Sequence, residues 1–255
     1  MPSFPGDTRT PRPWLLLGAG VFLGLIFAGE IRAESLPDRR PALIGPGPRS
    51  LVNLIDTAGL FRKGQRDAWV MFECLVAPDG VTWPSEFFTF SPDSKLLEKE
   101  VLKRLRHAKF IPAVYNRRRT YAYFAGTVTF VVLNGQPRLR VFASQELDEI
   151  RRGADFIAPQ PVAIPGKGWD VEWPNYPSAA YHGRTGGRVV IRHSVDATGK
   201  TTNVQVVNES PAGHKFGEIA EKMARKLDYL PAYRNGQPAD ATYTTFFHFG
   251  RPKKS

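Results

Sequence analysis

Residues able to do chemistry are few in this chain of 255, and their spacing argues against a reactive centre. The five histidines, His107, His182, His193, His214 and His248, show neither H-x-x-x-H nor H-E-x-x-H spacing, so no metal site is expected. The lone cysteine, Cys74, excludes an intramolecular disulfide and every multi-cysteine zinc or iron–sulfur centre. It lies on the same strand face as Val70, Phe72 and Val76, where a small hydrophobe is expected rather than a nucleophile. Ala197-Thr198-Gly199-Lys200-Thr201 ends like a phosphate-binding loop, but Ser194 stands where the leading glycine belongs. The segment also reads as a hairpin, not as a strand-to-helix turn. No G-x-S-x-G element or carboxylate pair stands out, so the sequence predicts neither catalysis nor a cofactor.

Charge is the stronger polar signal. The chain carries 35 Lys and Arg against 24 Asp and Glu, a formal +11. Lys103, Arg104, Arg106, Lys109, Arg117, Arg118 and Arg119 follow one another with no acid between them. Such a run suits an anionic envelope surface (peptidoglycan, lipopolysaccharide or lipid), where each basic group adds about 1 kcal/mol, or it is a solvated helix face and turn. No reading motif accompanies the charge, so nucleic acid is not an expected partner. An uncharged apolar run, Trp14 to Gly29, follows Arg9 and Arg12 and precedes a cleavage-like Ile31-Arg32-Ala33. As a helix it spans about 24 Å, short of the roughly 30 Å hydrocarbon core. Residues 1–33 therefore read as a signal peptide, or as an inner-membrane anchor if uncleaved. In both cases the remainder is expected in the periplasm.

These residues sit on elements that the chain writes twice. An offset of 119 places Val70, Phe72, Val76, Gly80, Pro112, Ala113 and Phe130 on Val189, Ile191, Val195, Gly199, Pro231, Ala232 and Phe249. Each copy reads strand, glycine turn, strand, helix, strand. Period-two alternation marks the first strands, and Pro78-Asp79-Gly80 and Ala197-Thr198-Gly199 are hairpin chemistry. Strands Val81 to Phe90 and Lys200 to Val207 are expected to follow. Leu97, Val101, Leu105 and Ala108 form one helical stripe, and Phe216, Ala220, Met223, Ala224 and Leu227 another. The last strands are expected over Tyr121 to Val132 and Thr242 to Phe249.

The predicted fold class is α+β: two tandem domains, 49–143 and 171–255, each a helix on a small antiparallel sheet. Residues 34–48 and 144–170 are expected as connectors. The second holds a short helix, Ser144 to Arg152, and a Pro/Gly-rich linker, Ala158 to Gly168. Ser50 to Leu60 is expected to be helical. Trp69, Trp83, Phe87, Phe88 and Phe90 give the first sheet apolar residues on both faces, which predicts that the copies pack on each other or that the chain forms a homodimer there.

The second copy also carries an ordered string of motifs: Trp173-Pro174-Asn175-Tyr176-Pro177, Gly186-Gly187-Arg188-Val189 and Val195-Asp196-Ala197-Thr198-Gly199. Tyr229-Leu230-Pro231-Ala232, Asn235-Gly236-Gln237-Pro238 and Phe249 complete it. Over residues 173–249 this resembles the C-terminal domain of TonB-family energy transducers. The first copy is similar from Trp69 to Phe130 but lacks the Tyr-Pro pair, and Asn116-Arg117-Arg118-Arg119 replaces its NGxP turn. The resemblance implies a non-enzymatic periplasmic module that pairs a strand edge with an extended segment of a protein partner, such as an outer-membrane receptor. By position the receiving edge is Thr242, Tyr243, Thr244, Thr245, Phe246 and Phe247, flanked by Tyr176 and Pro177. The leader lacks Ser and His and only a short stretch follows it, which suits a binding module better than a full motor-coupled transducer.

Overall fold

The computed structural model describes residues 35–84, 89–153, 155–163 and 176–251. The expected leader, Phe87, Phe88 and the Trp173-Pro174-Asn175 string lie outside them. Two short strands begin the described chain, β1 (Arg39–Arg40) and β2 (Leu43–Ile44). Next come α1 (Leu51–Leu54) and α2 (Thr57–Arg62), with Asp56 Oδ1 accepting the Gly59 N–H at the start of α2. β3 (Ala68–Val76) buries Val70, Phe72, Cys74 and Val76, the alternation its sequence predicts. β4 (Thr82–Pro84) and β5 (Thr89–Phe90) run back along one side of it. α3 (Lys95–Leu105) then lays Leu97, Val101 and Leu105 on the sheet.

The half closes with β6 (Phe110–Ile111), β7 (Ala113–Tyr115), the long β8 (Arg118–Leu133) on the other side of β3, and β9 (Gln136–Phe142) outside β8. The connector expected over 34–48 is corrected here. β1 pairs with β7 and β2 with β6, so the main chain of this stretch is bonded into the fold.

α4 (Leu147–Arg152) leads to β10 (Phe156–Ile157) and β11 (Gln160–Ala163). The linker expected from Ala158 to Gly168 is thus a strand over Gln160–Ala163, and residues 164–168 lie outside the described ones. The single proline of this strand, Pro161, falls in a ladder of only two residue pairs to β14, and a second two-pair ladder joins the strand to β8. The second half continues through α5 (Ser178–His182), β12 (Gly187–Val195), β13 (Thr201–Ser210), α6 (Phe216–Lys226), β14 (Tyr229–Leu230), β15 (Ala232–Arg234), β16 (Gln237–Ala239) and β17 (Ala241–Phe249). β12 is central, between β13 and β17, and α6 covers one face with Phe216, Ala220, Met223 and Ala224.

Register relates the halves in detail. β3 pairs with β8 from Ala68↔Phe130 to Val76↔Ala122, and β12 with β17 from Gly187↔Phe249 to Val195↔Ala241. Every pair in one ladder becomes a pair in the other on adding 119. The turns obey the same shift, Ala113↔Thr120 becoming Ala232↔Ala239. Each half has its own core, and they interlock: Ala125 of β8 packs into the second core and Leu230 of β14 into the first.

Candidate functional site: the outer edge of the last strand

Tyr243, Thr245, Phe247 and Phe249 of β17 point into the core beneath α6, while Thr242, Thr244, Phe246 and His248 point to the opposite face. The main chain alternates as well. Asp196 N–H donates to Lys200 O, on the β13 side of the sheet, at 3.0 Å. Antiparallel alternation then turns the main-chain groups of Val189, Ile191, His193 and Val195 toward β17, opposite Phe247, Thr245, Tyr243 and Ala241. Thr242 and Thr244, between those pairs, turn their N–H and C=O outward. Among the described residues no strand pairs with β17 on that side. The equivalent side of β8 is occupied, by β11 opposite Tyr121 and Ala122 and by β9 opposite Thr127 to Leu133.

The motifs around this edge are turn and packing chemistry. Asp196 Oδ1 accepts from Thr198 Oγ1 at 2.6 Å, Thr198 N–H at 2.9 Å and Lys200 N–H at 3.0 Å. The Thr198 hydroxyl first, then the backbone donors, hold this carboxyl below its ordinary pKa. Gly199 has φ +82°, and Tyr229 O approaches where a side chain would begin, so both conformation and space require glycine. Tyr176 stands at the Phe249 end of β17. Its hydroxyl donates between Thr185 O (2.6 Å) and Gly250 O (3.1 Å), and its ring meets Phe216 and Phe249 edge-on. Pro177 is buried as the N-cap of α5. The Tyr-Pro pair therefore closes one end of the sheet, at the opposite end of the strand from Thr242.

Behind the edge lies a buried polar cluster. His193 is 1% exposed, its ring centroid 5.1 Å from that of Tyr229 and 5.7 Å from that of Tyr243. Among the described residues neither imidazole nitrogen has a hydrogen-bond partner, and burial lowers the pKa to about 4, so the ring is neutral at pH 7. Burial first, then Glu73 from the first half, pushes the Tyr243 hydroxyl well up. No cluster of three His, Cys, Asp or Glu residues able to hold a metal occurs among the described residues.

The basic run is spread over two elements. Lys103 and Arg104 end α3, where Arg104 Nε meets Glu100 at 2.6 Å, and Arg106 is its C-cap residue. Lys109 is half-buried, whereas Arg117, Arg118 and Arg119 are exposed at the β7–β8 turn. β1 adds Arg39 and Arg40 to that ribbon, with Arg39 over the Tyr115 ring at 5.5 Å.

Spacing gave no sign of the clasp between the halves. Thr127 Oγ1 donates to Ser144 O (2.7 Å), and Gln145 Nε2 to Phe72 O (2.9 Å). Glu149 takes a bidentate pair from Arg234 at 2.7 and 2.8 Å. These partners lie far apart in sequence, beyond the reach of any local pattern.

Among the described residues the second half is a helix on a three-stranded antiparallel sheet with β17 at its margin. Residues 172–250 match the family model described as Gram-negative bacterial TonB protein C-terminal, which supports a place for this segment in the TonB C-terminal domain family. That family comprises non-enzymatic, envelope-associated energy-transducer domains that face the periplasm. No curated protein matches the chain. Among the described residues no helix is long and apolar enough to cross a membrane.

Proposed function

We propose that the chain is an exported, non-enzymatic periplasmic protein built from two tandem TonB-C-like copies, of which the second binds an extended segment of a protein partner by strand addition. The receiving edge is Thr242 to Phe247 of β17, and the partner class is an outer-membrane receptor in TonB-dependent transport. The outward N–H and C=O groups of Thr242 and Thr244, at the margin of their sheet, carry the reading. The first half supplies the precedent, since β9 adds to β8 as a partner strand would add to β17. Tyr176 and Pro177 act in this reading by bracing the end of the sheet.

Thr244→Pro tests the reading, because it removes an outward N–H and spares the ladder to β12. Binding of N-terminal receptor peptides to the full chain should weaken about tenfold or more, with the unfolding midpoint unchanged. Undiminished binding would overturn strand addition at this edge. A second reading rests on the exposed Arg117, Arg118 and Arg119 beside β1, a ribbon suited to an anionic envelope polymer. Salt-sensitive binding to lipopolysaccharide that ignores Thr244→Pro would favour it.

A further inference from the structure

A cleft of about 500 Å³ lies between the halves, bordered by β3 and β5 of the first, β12 and β17 of the second, and the α4 region between them. Trp69 and Met71 lie on the face of β3 turned away from α3, and Arg192, Thr244 and Phe246 on the face of the second sheet turned away from α6. The backs of the two sheets therefore form its walls, and the clasp at Thr127, Gln145 and Glu149 holds those walls in place. The cleft also borders Tyr243 and Thr244, the middle of the proposed receiving edge. A strand added there would send every second side chain toward it.

Its chemistry is asymmetric. Trp69, Met71, Leu147 and Phe246 are apolar or aromatic. Asp148 and Arg151 pair with each other at 3.4 Å and are exposed. Glu146 is half-buried, and among the described residues nothing makes a hydrogen bond or ion pair with its carboxylate. Burial raises its pKa, Arg192 partly offsets that, and Asp148 and Glu149 add to it. A desolvated carboxylate beside aromatic rings is under-compensated, and a cation on an apolar stem supplies what it lacks.

We propose that this cleft is the specificity subsite for the strand that adds to β17, and that it takes a lysine or arginine side chain, stem along Trp69 and Phe246 and charge at Glu146. This rests on the strand-addition reading and adds a preference that the chain's net charge of +11 would oppose, since that charge alone favours acidic ligands.

The test uses the full chain and three ten-residue peptides of alternating threonine and valine, whose two central residues are lysine, norleucine or glutamate. One central side chain then faces the cleft whichever way the strand alternates. The lysine peptide should bind about tenfold more tightly than the norleucine peptide, and the glutamate peptide most weakly. Glu146→Gln should bring lysine and norleucine within about twofold. Thr244→Pro should weaken all three alike. Equal binding of all three peptides, or a lysine preference that survives Glu146→Gln, would overturn the subsite and leave strand addition standing. Failure of every peptide to bind would remove strand addition and the subsite with it.

Discussion

Where the first half packs Cys74, Phe110, Phe124 and Gly126, the second packs His193, Tyr229, Tyr243 and Thr245, on ladders of the same register. The backbone holds both sets because volume is exchanged between neighbours. A Cβ on Gly126 would meet the Phe72 and Phe124 rings at 2.7 and 2.9 Å. In the second half Ile191 replaces Phe72, and the space released admits the Thr245 side chain. The edges differ as the interiors do. β8 is sealed by β9 and β11, whereas β17 ends its sheet among the described residues. At these four positions the first half is apolar and the second partly polar, and β8 is flanked by further strands where β17, among the described residues, lies at the margin of its sheet. Duplicated topology leaves core chemistry and edge use free to diverge separately.

Phe124→Ala should produce the largest effect and fixes the apolar side of the comparison. Phe124 is fully buried, 6.1 Å from the Phe72 ring and edge-on to Phe110 at 5.0 Å. Truncation removes both contacts and leaves a cavity in a close-packed core, at about 3–5 kcal/mol. Urea unfolding followed by tryptophan fluorescence reads the loss. A loss under roughly 1 kcal/mol would mean that this core is looser than its geometry.

His193 gives the next effect, through pH. Its pKa in the folded chain is about 4, against about 6.5 when unfolded, so between those values the unfolded chain binds the extra proton. Stability therefore falls as pH drops from about 6.5 to about 4, then levels. At about 1.36 kcal/mol per pKa unit this amounts to roughly 3 kcal/mol. Cys74 occupies the matching position in the first half, so His193→Cys should flatten that part of the curve. Carboxylates titrate in the same range, so the measurement is the difference between wild type and variant by thermal melts from pH 4 to 7. Parallel curves would show that the imidazole is not held neutral.

These positions also show what a sequence discloses. His193 and Cys74 were legible as inward-facing because they fall on period-two strands of nine residues. β17 was legible as a strand by the same alternation, and by the order of motifs leading to it. β1, β2, β10 and β11 were not, since strands of two to four residues have no periodicity and exist only through their partners in the other segments. β9 did carry a signal, Leu139 and Val141 alternating with Arg138 and Arg140, but alternation alone does not say that it would seal β8. The cleft was beyond reach because Trp69, Glu146 and Phe246 meet only once the halves have packed.

The smallest effect runs in the opposite direction and tests the polar core most directly. Tyr229 is 1% exposed, and its hydroxyl lies beside Thr245 but by geometry makes no hydrogen bond among the described residues. A buried hydroxyl with no partner has left water without compensation. Tyr229→Phe, which installs the residue type of Phe110 in the first half, keeps the ring beside His193 and removes only that hydroxyl. Stability should be unchanged or higher by up to about 1 kcal/mol, read as a small rise in urea midpoint at constant slope. A fall of more than about 1 kcal/mol would show that the hydroxyl is bonded in solution. The second core would then be a hydrogen-bonded network, and its polarity a source of stability.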